Sequence, residues 1–284
     1  MRARLALAFA LLGLASSAVF AFPTVAGAGE SLLLATTTSV RDSGLLDDVL
    51  PGFREATGVE VRVVAVGSGA ALRMGAEGNA DLLITHAPLG EQELVASGAV
   101  VSRVPFMENH FVIAGPERDP AGVREAATPA DAYRALAAAG AAYVSRADDS
   151  GTHRREQALL EEAGLDPARG WPGFARTGSG MGLTLQVAGE KRAYVLSDLG
   201  TFLAFRERIG LVSLSGAAPS LRNVYSVLRV SPERFPAVRV EAARKLEAYL
   251  LERATQQRIA AFGSESFGRS LFRPLSPSAA LEGP

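Results

Sequence analysis

Four hydroxyl residues stand in a row, Thr36-Thr37-Thr38-Ser39, directly after an apolar run ending at Ala35. Hydroxyls at a strand end can donate hydrogen bonds, and a helix opening nearby, around Ser43, offers unpaired N–H groups with partial positive charge. Together they suit an anion, although helix capping with spare hydroxyls explains the same residues equally well. Val66-Gly67-Ser68-Gly69-Ala70 again joins a strand to a helix, and its glycines either admit a ligand to the backbone or make a plain tight turn. The most specific stretch is Ser145-Arg146-Ala147-Asp148-Asp149-Ser150-Gly151-Thr152-His153. Arg146 can give planar, charge-assisted hydrogen bonds to paired oxygens, Ser150 and Thr152 add hydroxyls, and Gly151 exposes N–H groups. Asp148 is placed to hold the guanidinium from behind. A surface salt bridge with a helix cap would not require arginine, hydroxyl, glycine and hydroxyl on one turn.

These loops need elements to position them. Apolar runs at 31–35, 59–66 and 81–84 read as strands, and 43–57 carries Leu45, Leu46, Val49, Leu50 and Phe53 on one helical face, stopped by Gly58. Helices are expected near 70–76 and over 91–97, then two strands, 100–104 and 110–114. A second set follows: a helix capped by Thr128, a strand over 141–145, helices over 152–163 and 182–190, a strand over 193–196 with a helix after it, a strand over 224–230, one long helix over 236–253 and another over 255–262. Such alternation predicts α/β architecture with largely parallel sheets, in two lobes. With no low-complexity linker between them, the lobes are expected to be joined by strands, crossing near 112–116 and 221–226, with the C-terminal helices returning to the first lobe. The expected limits are 29–113 with 225–284 for lobe 1 and 114–224 for lobe 2. Ligands of open α/β sheets bind at the carboxyl ends of strands, which puts the three loops around an interlobe cleft closed by a hinge motion.

The stretches ATTTSVRDSGLLDDVLP, AVGSG, DLLITHAP, FVIAGPERDPAG, VSRADDSGTHRRE and TGSGMGLTL resemble, in this order across 32–274, the tungstate-binding proteins of Tup-type ABC transporters. The resemblance implies a type II periplasmic-binding-protein fold, tungstate as ligand, and an inner-membrane ABC permease with its ATPase as partners. It implies oxyanion contacts from Thr37, Thr38 and Ser39 on one side and from Arg146, Ser150, Gly151 and Thr152 on the other; Ser68 of the glycine loop joins this set. Ala147 stands where the family usually has glycine, and Leu199 where it usually has an arginine, which puts that arginine's contribution in doubt here.

The arginine-hydroxyl loop also resembles that of phosphate-binding proteins, which carry an aspartate to accept the proton of hydrogen phosphate. Here that stretch reads Thr85-His86-Ala87-Pro88. A carboxylate would repel a fully deprotonated dianion, so its absence favours tungstate, molybdate or sulfate over phosphate. Tungstate and molybdate are nearly equal in size and charge, and only the resemblance separates them. His86 reads as a partly exposed loop histidine in preference to a ligand. Glu108, Asn109 and His110, with His86 and His153, match no compact metal spacing, so neither a metal nor a cofactor is expected. Ser150 with His153 suggests a serine hydrolase as an alternative of another class, but the G-x-S-x-G elbow is absent; the expectation is binding without catalysis. Trp171, the single tryptophan, is expected to pack inside a lobe.

Composition agrees. Hydrophobic residues at 48% and charged residues at 21% fit a folded globular chain, and a net charge of -1 without a basic stripe argues against nucleic acid. A basic head at Arg2 and Arg4, an apolar run from Leu5 and small residues ahead of residue 28 read as a secretory signal peptide over 1–28. With no cysteine there are no disulfides and no lipid-anchored cysteine, so a freely diffusing periplasmic monomer is expected.

Overall fold

The computed structural model describes residues 31–216 and 218–275; the signal peptide expected over 1–28 lies outside them. β1 (Ser31–Thr37) buries Leu32 and Leu34 completely and runs directly into α1 (Thr38–Asp42). α2 (Leu45–Thr57) turns Leu45, Leu46, Val49 and Phe53 inward, each burial contributing about 1.5–3 kcal/mol of hydrophobic stabilisation. It stops where the expectation put the stop: Gly58 takes φ 71° and its N–H caps the Arg54 carbonyl at 2.8 Å, a conformation glycine adopts without Cβ strain. β2 (Glu60–Val66), α3 (Ser68–Ala76), β3 (Leu82–Thr85) and α4 (Pro88–Ala96) complete the first βαβ set, with β2 and β3 flanking β1 in parallel.

β4 (Val100–Gly115) is one continuous strand of 16 residues, not the two strands expected. Pro105 and the polar run Glu108-Asn109-His110 look like a break in sequence. In space, the ladder shifts register between Pro105 and Met107, which absorbs the residue lacking an N–H, and the polar residues find partners on the neighbouring strand. α5 (Pro129–Ala138), β5 (Tyr143–Ser145), α6 (Gly151–Glu162), β6 (Phe174–Arg176), α7 (Met181–Lys191), β7 (Val195–Asp198), α8 (Leu199–Ile209) and β8 (Val212–Ser213) build the second unit; β6 has no counterpart among the expected elements. β9 (Arg222–Val230) returns along β4. α9 (Val240–Leu251), α10 (Arg253–Ala261), α11 (Ser264–Phe267) and β10 (Arg273–Pro274) close the chain on the first unit, β10 pairing with β4. α9 is shorter than the helix expected over 236–253. The Arg239 N–H goes to Asp81 Oδ1 at 2.7 Å instead of into a helix, and Glu252, extended, separates α9 from α10.

The sheets are less parallel than expected. β1 with β2, β1 with β3 and β5 with β6 are parallel ladders, but β9 runs antiparallel to both β3 and β4, and β7, β8 and β10 run antiparallel to β4. The reason lies in the strands that cross between lobes: one leaves and the other returns, so they pair antiparallel. β4 faces β9 through His110 and then β7 and β8 from Phe111 to Gly115, changing sheets without a break. One apolar cluster joins Leu34, Phe53 and Leu246 to Met181, Leu185 and Phe202, and so runs from the first lobe into the second. A second cluster, formed by the second unit together with Phe111 and Ile113 of β4, includes Trp171, whose Nε1 donates to the Ala141 carbonyl at 2.7 Å. Among the described residues, no helix is long and apolar enough to cross a membrane.

Candidate functional site

The carboxyl ends of β1, β2, β3, β5 and β7 converge. β1 delivers Thr37, Thr38 and Ser39; β2 delivers Ser68; β3 delivers His86; β5 delivers Arg146 and the loop to Thr152; β7 delivers Asp198. All of these side chains for which exposure is resolved as buried polar, namely Thr37, Ser39, Ser68, His86, Arg146, Ser150, Thr152 and Asp198, are 5% exposed or less. Two contacts join the walls directly. The Gly151 N–H donates to Ser68 Oγ at 3.0 Å, and Arg146 Nη2 reaches Thr38 Oγ1 at 3.4 Å.

The hydroxyls share one polarity. Thr37 Oγ1 caps α1 by accepting from Val40 N–H at 3.4 Å, and Ser150 Oγ caps α6 by accepting from His153 N–H at 3.2 Å. Ser68 accepts from Gly151, Thr38 from Arg146, and Thr152 from Arg146 Nη1 at 3.5 Å. A hydroxyl whose oxygen accepts from an N–H keeps its own hydrogen to donate. Capping and anion binding, competing explanations of these residues in the sequence, are therefore compatible: the caps leave the hydroxyl hydrogens free to donate. Ser39 Oγ has no hydrogen-bond partner among the described residues.

Arg146 is 2% exposed. Its firm partner is Asp148, at 2.5 Å from Nη2, as the sequence predicts; Asp148 Oδ1 also accepts the Ser150 N–H at 3.2 Å and so braces the loop. The two hydroxyl contacts, at 3.4 and 3.5 Å, are long for hydrogen bonds, and Nε has no partner among the described residues. A buried guanidinium with so much unused donor capacity is costly unless an anion completes it. Ala147 and Asp149 flank Asp148 with φ of 48° and 57°, the left-handed conformation that favours glycine.

Two participants were not read correctly from sequence. His86 is buried, not a partly exposed loop residue. Its ring packs on Tyr225 with centroids 4.8 Å apart, and Nδ1 meets Asn223 Oδ1 at 2.8 Å. Because Asn223 Nδ2 donates to Asn109 Oδ1 and to the Tyr225 hydroxyl, both at 2.8 Å, the proton of the His86–Asn223 bond belongs to Nδ1, which leaves Nε2 as an unpartnered acceptor. Burial, and to a smaller extent the Arg146 charge, hold this ring's pKa down to about 4, so it is neutral near pH 7. Asp198 corrects the expectation that no carboxylate stands here. The position occupied by aspartate in phosphate-binding proteins is His86, but β7 brings a different carboxyl to the same group. Asp198 Oδ1 caps α8 by accepting the Thr201 N–H at 2.9 Å, while Oδ2 is buried without a partner among the described residues. Burial raises its pKa, opposed by Thr201, Arg146 and Ser39. Its sequence signal, a polar residue where a strand becomes a helix, is the same as in the other loops. Leu199 packs into the apolar cluster, so the guanidinium of this site comes from Arg146.

The serine–histidine pair does not form as a nucleophile and base: Ser150 Oγ receives the His153 backbone N–H, and His153 Nδ1 accepts from Asp149 N–H at 3.1 Å. Behind the loop, Glu156 accepts from Ser145 Oγ and from the Tyr143 hydroxyl, and burial raises its pKa to about 7. Among the described residues no group of His, Asp and Glu could hold a metal ion.

The sequence profile of the PBP superfamily domain matches residues 24–250. The tungstate-binding protein TupA of Peptoclostridium acidaminophilum is 39% identical over 247 residues, covering 86% of this chain and 85% of that protein. The crystal structure of the tungstate ABC transporter from Geobacter sulfurreducens is 42% identical with a TM-score of 0.75, covering 82% of this chain and 99% of the other. The tungstate-binding protein TupA of Desulfovibrio alaskensis G20 is 39% identical, also with a TM-score of 0.75, over 87% of this chain and 99% of the other. The chain therefore belongs to the PBP superfamily and, within it, to the tungstate-binding proteins of Tup-type ABC transporters.

Proposed function

We propose that this protein captures tungstate in the interlobe cleft and delivers it to the permease of an ABC importer, without catalysis. The observation that carries the reading is Arg146, buried with Nε unpartnered and facing hydroxyls whose hydrogens remain to donate. A tetrahedral dianion losing its water needs donors on every oxygen. Thr37, Thr38, Ser39 and Ser68 supply them from lobe 1, and Arg146, Ser150 and Thr152 from lobe 2, while Gly151 orients Ser68 by donating its N–H to Ser68 Oγ. The lobes, 29–113 with 225–284 and 114–224, close about the β4–β9 crossing. The segment 1–28 exports the chain, and a monomer in the periplasm meets an inner-membrane permease served by an ATPase. The names of the relatives favour tungstate over molybdate, sulfate and phosphate. The serine hydrolase alternative loses support because Ser150 and His153 are both committed to capping the loop.

The test is calorimetric titration of the mature protein, stripped of ligand by unfolding and refolding, with tungstate, molybdate, sulfate and phosphate in turn. Tight tungstate binding with weak phosphate binding is expected, and the molybdate ratio sets the selectivity. A folded protein that binds none of these anions would refute the reading.

A further inference from the structure

In a cleft lined mostly with donors, the neutral His86 Nε2 is one free acceptor and Asp198 is another. Its Oδ2 is an acceptor, fully buried at the end of β7, with no partner among the described residues. The groups that surround it come from three other elements and from its own helix: Arg146 on the loop after β5, Ser39 on α1, Tyr225 on β9, and Thr201 on α8. Arg146 is the charged group among them, and most of its charge is answered by Asp148 at 2.5 Å. The Ser39 and Thr201 hydroxyls lie close to the carboxyl and favour its charged form, but neither makes a well-aligned hydrogen bond to Oδ2. A dianion placed against Arg146 and Ser39 would meet an ionised Asp198 as a second negative charge in a medium of low dielectric constant, which strongly disfavours that pair.

We infer that Asp198 holds the oxyanion as a neutral carboxylic acid, its Oδ2–H donating to an anion oxygen while Oδ1 continues to cap α8. The inference rests on the reading of the cleft as a tungstate site and adds a specificity-determining residue to it. The proton balance is simple. A tungstate dianion, an ionised Asp198 and one proton from solvent give a complex in which that proton lies between Oδ2 and the anion. No bond other than that to the proton forms or breaks. Burial, which raises the carboxyl's affinity for a proton even before the anion arrives, works in the same direction.

The rule for ligand choice follows. A fully deprotonated dianion must bring a proton in from solvent whenever Asp198 is ionised, so its affinity falls as pH rises. Hydrogen phosphate carries its own proton and can give it to ionised Asp198, so its binding takes up none. The cleft therefore discriminates between the two anion classes by a proton count, and its preference for the deprotonated class weakens toward high pH.

Two other buried titratable groups near the site need separating from Asp198. His86 is held neutral, with its pKa at about 4, and takes no part near pH 8. Glu156, raised to about 7, stands behind Ser145 and could change protonation as the loop tightens. The experiment is tungstate titration calorimetry between about pH 7 and pH 9, in buffers of different ionisation enthalpy, on the mature protein and on Asp198→Asn and Glu156→Gln; the buffer dependence of the heat gives protons taken up per anion. Wild type should take up nearly one proton at the upper end, with affinity falling about tenfold per pH unit there. Asp198→Asn keeps an acceptor for the Thr201 N–H and carries a permanent donor, so its uptake should vanish and its affinity should vary by less than about twofold over the range. Glu156→Gln should behave as wild type. Tight tungstate binding by wild type without proton uptake overturns the inference and leaves the proposed function standing. So does uptake that persists in Asp198→Asn or disappears in Glu156→Gln. A wild-type protein that binds no tungstate at any pH overturns the proposed function and this inference together.

Discussion

Buried polar side chains gather in two adjoining regions of this protein, the strand crossing and the cleft, and they are treated differently. At the crossing of β4 and β9, Glu108 pairs with Arg222 and with Arg273, while Asn223 ties together His86, Asn109 and Tyr225. These side chains all have protein partners, although Asn109 Nδ2 and Ser226 Oγ on the same strands have none among the described residues. A few residues away, Ser39 Oγ, Arg146 Nε, Asp198 Oδ2 and Thr201 Oγ1 have none among the described residues. Glu108, Asn109 and Asn223 are as buried as the cleft residues, while Arg222 and Arg273 reach them from the surface. The difference is saturation. Saturated polar groups fix a geometry, here the angle at which one lobe meets the other. Unsaturated ones carry an energetic debt until a ligand arrives, and that debt is what a receptor converts into affinity. His86 bridges the two regions, with Nδ1 saturated by the crossing and its ring against Gly151, where an added Cβ would come within 2.7 Å of Cε1.

The contrast can be broken by substitution. The largest effect should come from Arg146→Ala, which should weaken tungstate binding by about 2–5 kcal/mol, as loss of one partner of a buried charge pair does. Because this arginine is poorly satisfied by the protein, the denaturant midpoint of the ligand-free chain should stay close to that of wild type. Unchanged affinity would remove Arg146 from the site. Asn223→Ala should do the reverse. It strips the partner from His86 Nδ1, Asn109 Oδ1 and the Tyr225 hydroxyl, and should lower folding stability by roughly 3 kcal/mol in urea unfolding. A stability loss for Arg146→Ala as large as that for Asn223→Ala would erase the distinction between the regions. The smallest effect sharpens the picture of the loop itself. Ala147 sits at φ 48°, so Ala147→Gly should relieve left-handed strain and raise stability by about 0.5–1 kcal/mol, net of the glycine's greater entropy when unfolded. A loss of stability would mean that the loop is not strained at this position.

Much of this protein was legible in its sequence because the signals are local. Apolar spacing placed β1, α2, β2 and β9, Gly58 marked the end of α2, and Thr128 capped α5 through Asp131 N–H at 3.1 Å. Hydroxyls and glycines where strands become helices located the loops, and Asp148 could be assigned to Arg146 because two residues of chain keep them within reach. Nothing local showed that β4 runs unbroken through Pro105 and Glu108, since the partners that make this possible, Arg222 and Asn223, are more than a hundred residues away in the chain. Nor did it show that Ser68 would receive the Gly151 N–H, that His86 would be buried, or that β7 would bring Asp198 into the group. The sequence by itself determined the elements and the chemical character of the loops, through periodicity and capping. The tertiary structure alone decided which buried polar groups are satisfied and which are left over, because a hydrogen-bond partner is a matter of position in space, and part of that remainder gathers around Arg146 and Asp198.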